Sequence, residues 1–219
     1  MNDFEDKVVL VTGAGKGKGR ALADAFLGHG ASVAVNDISP INLDEMVLHG
    51  GGRIKAYVDD VAKKVAAQAI INQVEDDFGR VDILINHAAV EPHVPLLDMD
   101  EWDWHRVLEV NLTGAFLMLQ SAGRVMRANG SGVIINFIHA PQFGAQKEAA
   151  YLASVMGLIG LTHQASMELS EYSVHVHAVG TGIAEFHHAE AEIPRNFTEA
   201  VLYLCKSSLN GQIVNVEEI

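Results

Sequence analysis

Cysteine is almost absent from this chain: Cys205 stands alone among 219 residues, so no disulfide can close within it. Proline is also scarce, with 5 residues, and no Pro- or Ser-rich linker divides the sequence. Basic side chains are few, 15 against 28 acidic ones, for a net charge of -13. That balance disfavours nucleic acid and anionic membrane as partners, because both are held by basic surfaces. No uninterrupted apolar run is long enough to span a bilayer. The opening Met-Asn-Asp-Phe-Glu-Asp-Lys is acidic and lacks the basic start and apolar run of a signal peptide. Together these absences make a cytoplasmic protein the expectation. Hydrophobic residues make up 49% of the chain, ample for one packed core, so a single domain over 1–219 is expected.

Short β-branched runs alternate with helical patterns. Val8–Val11, Ser32–Val35, Arg53–Val58, Val81–Ile85, Val133–Phe137, Val174–Val179 and Gln212–Val216 read as strands. Helical patterns lie near 17–28, 61–78, 100–128, 151–170 and 197–206. This alternation predicts an α/β fold, a Rossmann-like doubly wound seven-stranded parallel sheet with helices on both faces. The stretch from Tyr151 to Ser170 is apolar on nearly every side, through Leu152, Val155, Met156, Leu158, Ile159 and Leu161. A helix without a polar face is covered on both sides. The second cover is read as another subunit.

Thr12–Gly19 reads TGAGKGKG and directly follows the first strand. Gly13, Gly17 and Gly19 supply a tight turn that lets backbone approach a pyrophosphate at a helix N-terminus. Asp37 ends the second strand, where an acidic side chain can bind both ribose hydroxyls of NAD and repel the 2′-phosphate of NADP. Lys16 lies inside the loop and can reach either a 2′-phosphate or the pyrophosphate. The position of Asp37 favours NAD.

With these motifs in place, the sequence resembles the short-chain dehydrogenase/reductase family over essentially its whole length. The resemblance rests on Thr12–Gly19, Asp37, Asp60-Val61, Asn86-His-Ala-Ala89, Asn111, Tyr151 and Gly211-Gln-Ile-Val-Asn-Val216. It implies that Asp60 and Val61 meet the adenine end, and that Asn86 and Ala88 support cofactor and sheet. His87 and Ala89 depart from the family's Asn-Asn-Ala-Gly. Ile183 would offer its backbone to the carboxamide.

The same resemblance implies a catalytic Asn-Ser-Tyr-Lys set, in which the tyrosine exchanges the proton of the substrate oxygen. Asn111 and Tyr151 match. The lysine position is Val155, one turn beyond the tyrosine, so no cation is expected there. The serine position falls on His139 by strand register, or on Ile138 by counting back from Tyr151; register is preferred. The Pro-Gly turn is replaced by Gly180-Thr-Gly182, the family's threonine by Phe186, and the substrate lid is shortened to about 183–194.

Among eleven histidines, His87, His139 and His177 fall on or near family active-site positions, and His175 shares a strand face with His177. No Cys pattern or HExxH spacing accompanies them, so no metal site is expected. Three functions follow. One is a catalytically impaired subunit bracing an active related chain in a mixed oligomer, through helices 100–128 and 151–170. Another is an active NAD-dependent dehydrogenase using Tyr151, Asn111 and His139. The third is a sensor that binds NAD(H) without turnover.

Overall fold

In the computed structural model the described residues are 3–139, 146–184, 188–189 and 192–217. The strands are β1 (Val8–Thr12), β2 (Ser32–Asp37), β3 (Ile54–Val58), β4 (Ile83–Asn86), β5 (Gly132–His139), β6 (Val174–Thr181) and β7 (Ile213–Asn215). They form one sheet in the order β3-β2-β1-β4-β5-β6-β7, and every pairing is parallel. The helices are α1 (Gly17–Gly28), α2 (Leu43–His49), α3 (Lys64–Phe78), α4 (Glu101–Leu108), α5 (Ala115–Asn129), α6 (Ala149–Leu169) and α7 (Phe197–Lys206). This is the expected doubly wound Rossmann-like architecture.

The apolar strands are continuous because both faces of the sheet are covered. On β1, Val9 and Val11 pack with Leu22, Phe26 and Phe197 on one face. Val8 and Leu10 pack with Ile70, Val74 and Met118 on the other. The strand order reverses between β1 and β4, the place where open α/β sheets bind ligands beyond their carboxyl ends.

Four local differences from the sequence reading have physical causes. The helix anticipated over 100–128 is α4 and α5 joined by a π-helical segment, Glu109–Gly114. Within it Asn111 turns its side chain to the backbone of Val90 rather than to its own helix. Helix α2, unanticipated, follows a turn in which Pro40 O accepts from Leu43 N. Strand β6 runs through Gly180 and Thr181, beyond the Val179 expected as its end, and is followed by Gly182, whose φ of 72° suits glycine.

The fourth difference concerns α6. Its inner side is buried through Tyr151, Val155, Leu158, Thr162 and Ala165. In the single chain its outer side is exposed at Met156, Gly160, His163, Gln164, Met167 and Glu168. The all-round apolar character therefore holds for the first half of the helix, and the second half carries polar residues outward. Among the described residues no helix is long and apolar enough to cross a membrane.

Candidate active site

Beyond the carboxyl ends of β1 and β4 lies a cleft of about 600 Å³. Gly13, Lys16, Gly17, Asp37, Asp60, Val61, Ala88, His139 and Tyr151 all line it. Gly19, Asn86, Asn111 and Ile183 do not.

The glycine loop is shaped by close approach. Gly13 has φ 63° and Gly17 φ 58°, both left-handed. A Cβ on Gly19 would stand 2.5 Å from Gly13 O and 2.7 Å from His87 Nδ1. Thr12 closes the junction: its Oγ1 accepts from the N–H groups of His87 (3.0 Å) and Ala88 (3.1 Å). Gly15 N donates to Asp37 Oδ2 at 3.0 Å, and Ser39 N donates to Oδ1 at 3.2 Å. These two bonds orient the Asp37 carboxylate at the end of β2, with lone pairs left for further donors. Lys16 is exposed at the loop, while Lys18 Nζ lies 5.7 Å from the ring centres of both Phe137 and Phe197. Asp60 Oδ1 accepts from Ala62 N, and Arg106 stands 3.5 Å from the same carboxylate.

His87 stacks on Phe137 with ring centres 4.8 Å apart. Its Nδ1 finds no hydrogen-bond partner among the described residues. Burial lowers its pKa to about 4, so at neutral pH the ring is uncharged. Asn86 serves the sheet interior: Nδ2 donates to Asn136 Oδ1 at 2.9 Å and to Ala115 O at 3.2 Å.

Tyr151 lies in the first turn of α6 and is 5% exposed. Burial raises its pKa, and the charges of Glu91 and Glu148 raise it further. Val155, also 5% exposed, packs in the same apolar cluster one turn along the helix. His139 ends β5, lines the cleft, and lies with Nδ1 2.7 Å from Thr181 Oγ1. Ile138 is 1% exposed and packs into the core, so of the two candidates for the serine place the one that faces the cleft is His139.

Two expected donors are already engaged. Asn111 Nδ2 donates to Val90 O (2.9 Å) and Ser154 Oγ (3.2 Å), and its Oδ1 accepts from Val90 N (2.8 Å). Ile183 N donates to Asn215 Oδ1 at 2.9 Å, so this N–H is not free for a carboxamide. The reason is that β7 brings Asn215 beside the end of β6. His177 is a further correction. It is buried away from the cleft, accepting from Gln212 N at 3.3 Å, and burial lowers its pKa to about 3. His175 and His177 do share a face, with ring centres 6.5 Å apart, but His175 Nδ1 lies on Leu209 O. Within 183–194, where a shortened lid is expected, His188 forms an antiparallel bridge to Ile213. Phe186, expected at the family's threonine place, lies outside the described residues.

The sheet order, the left-handed glycine loop and the cleft at the reversal point define a Rossmann-like α/β protein with a ligand cleft. Residues 7–195 match the family model of the short chain dehydrogenases, and the chain belongs to that family. An oxidoreductase of undescribed activity from Thermotoga maritima is 35% identical over 187 residues, 84% of this chain and 74% of its own. The NAD-dependent glycerol dehydrogenase of Listeria innocua is 34% identical over 178 residues, covering 81% and 70%. The 3-oxoacyl-[acyl-carrier-protein] reductase of Thermotoga maritima is 33% identical over 203 residues, covering 91% and 82%. The crystal structure of a short chain dehydrogenase from Mycobacterium smegmatis superposes with TM-score 0.84 at 30% identity, covering 100% of this chain and 94% of that one.

Proposed function

We propose that this chain is an NAD-binding subunit with impaired chemistry, which braces an active related dehydrogenase of alcohols or ketones in a mixed oligomer. The observation that carries the reading is Val155. It fills, with buried aliphatic carbon, the place one turn beyond Tyr151 where the family resemblance calls for a lysine. A valine neither binds ribose hydroxyls nor stabilises a tyrosinate. An unassisted tyrosine, ~10 in pKa, is a poor base at neutral pH.

The cleft residues fit a dinucleotide at its adenine and pyrophosphate end. A Cβ on Gly13 would meet Ala88 Cα at 2.8 Å, so only glycine leaves the backbone this close, and Asp37 is already oriented for ribose hydroxyls. NAD, when bound, supplies the hydride acceptor. Gly13, Lys16 and Gly17 would hold the phosphates, and Asp37, Asp60 and Val61 would hold the adenosine. Tyr151 remains protonated and can donate to an oxygen in the cleft. His139, fixed on Thr181, can polarise the same oxygen.

Support for bracing comes from α5 and α6. Between them runs a groove of about 350 Å³, lined by Phe116, Leu119, Leu161, Ala165 and Leu169 among polar neighbours. Phe116 on α5 and Met156 and Met167 on α6 are exposed in the single chain. The dehydrogenase and reductase relatives favour a second reading, an active enzyme that uses Tyr151 with His139. The assay that separates them is NAD reduction by the purified chain on a panel of secondary alcohols. The impaired-subunit reading expects no rate above that of Tyr151→Phe. A rate that Tyr151→Phe abolishes contradicts it.

A further inference from the structure

We propose that Glu91, His93 and Glu148 form a site for one divalent first-row transition cation, of the zinc or manganese type, at the Tyr151 end of the cleft. This rests on the local geometry and not on the impaired-subunit reading.

Each of the three side chains offers a ligand atom, and these atoms lie within 4.8 Å of one another. Metal–ligand bonds of about 2.0–2.2 Å hold tetrahedral ligands roughly 3.3–3.6 Å apart, so the outer side chains turn inward to complete the set. His93 is the side chain with room to turn, at 64% exposure. Its Nδ1 shares a hydrogen bond of 2.5 Å with Glu148 Oε1, and the ion would replace the proton of that bond.

Glu148 supplies the independent observation. Its side chain is 7% exposed, yet Oε2 finds no partner among the described residues. The ordinary use of a carboxylate at this place is also missing, because Glu148 is the N-cap residue of α6 and makes no side-chain cap bond. Burying a carboxylate oxygen without a partner is costly, and such groups are ordinarily paired or bound to a cation. No Lys or Arg forms an ion pair with Glu91 or Glu148 among the described residues. The donor set selects the ion: two carboxylates alone suit magnesium or calcium, whereas the imidazole shifts preference to zinc, manganese and their neighbours.

The cation would stand on the side of Tyr151 that the two glutamates make negative. Glu91 lines the cleft with Tyr151, and Glu148 precedes it by one turn. The two sequence segments carry no metal signature, since 55 residues separate His93 from Glu148.

The experiment is calorimetric titration of the chelator-treated, full-length chain with zinc chloride and manganese chloride, with magnesium chloride as reference and no cofactor or substrate present. One equivalent of zinc or manganese should bind at least tenfold more tightly than magnesium. Glu148→Gln and, separately, Glu91→Gln should each weaken that binding by about tenfold or more. Glu91 is partly exposed on a loop, so its variant keeps the test informative if Glu148→Gln fails to fold. Binding no tighter than for magnesium, or binding that Glu91→Gln leaves unchanged, overturns the site. Neither result bears on turnover or oligomeric state, so this proposal and the functional one fail separately.

Discussion

Val155 follows Tyr151 by one turn of α6, and the two side chains lie buried in the same apolar cluster. Burial and the neighbouring glutamates push the Tyr151 phenol upward in pKa, and Val155 provides nothing to oppose them. The pair therefore keeps a proton donor in the cleft and removes the means to make it a base.

The first prediction reverses that relationship. Val155→Lys places a cation beside the tyrosine and toward the nicotinamide ribose. NAD reduction on a secondary-alcohol panel should rise at least tenfold over the unmodified chain, worth ~1.4 kcal/mol of barrier. No rise, in a variant that still binds NAD, would mean that the other departures suffice to block the reaction.

A second prediction concerns which end of the cofactor is held. Ile183 N–H is committed to Asn215, and Val155 offers no polar atom, so recognition lies at the adenine and pyrophosphate end. NAD, NADH and ADP-ribose should bind within a few-fold of one another by fluorescence or calorimetry. Asp37→Ala should weaken all three about tenfold, or ~1.4 kcal/mol, and narrow the preference over NADP. Strong selectivity for one redox form would contradict this.

Third, the glycine loop should not tolerate a methyl at Gly19. The new Cβ would press on Gly13 O and on His87, and Gly13 O is backbone. Overpacking of this kind costs about 1–3 kcal/mol. Gly19→Ala should lower the urea midpoint accordingly and reduce dinucleotide affinity, whereas Gly28→Ala, where a Cβ meets nothing within 4 Å, should do neither.

Acid should destabilise the fold in a defined window. His87 and His177 are held neutral by burial, with pKa lowered from 6.5 to about 4 and about 3. Between 6.5 and those values the unfolded chain binds more protons than the folded one. Stability is therefore complete above pH 6.5 and is lost as pH falls toward 4 and then 3. The His87 shift alone corresponds to roughly 3 kcal/mol. Urea midpoints measured across this range should fall with pH, and less steeply in His87→Asn. A profile unchanged by that variant would show that His87 does not carry the effect.

The sheet was legible because buried parallel strands read as short β-branched runs: Val8–Val11 faces two apolar layers and needs no polar alternation. The loop and Asp37 were legible because the glycine turn demands its residue type at fixed positions. Other features depend on contacts distant in sequence. Asn111 satisfies the Val90 backbone from a π-helical turn, and no spacing within 100–128 announces that. Ile183 loses its N–H to Asn215, 32 residues away, through the pairing of β6 with β7. His177 appeared beside the active site by family position, yet its alternate direction on β6 turns it toward Gln212. On α6 the apolar residues crowd the first half, while His163, Gln164 and Glu168 point outward in the second, a division that the residue types alone do not locate.

The central claim is that this chain lends structure, not turnover, to a partner. Its most direct test is the native mass of the assembly purified through this chain from its own cells, with every component identified by peptide sequencing. The account predicts a mixed assembly containing a related short chain dehydrogenase with intact Ser, Tyr and Lys, whose activity falls when this chain is removed. A homo-oligomer that carries bound dinucleotide and turns over an alcohol on its own would contradict it.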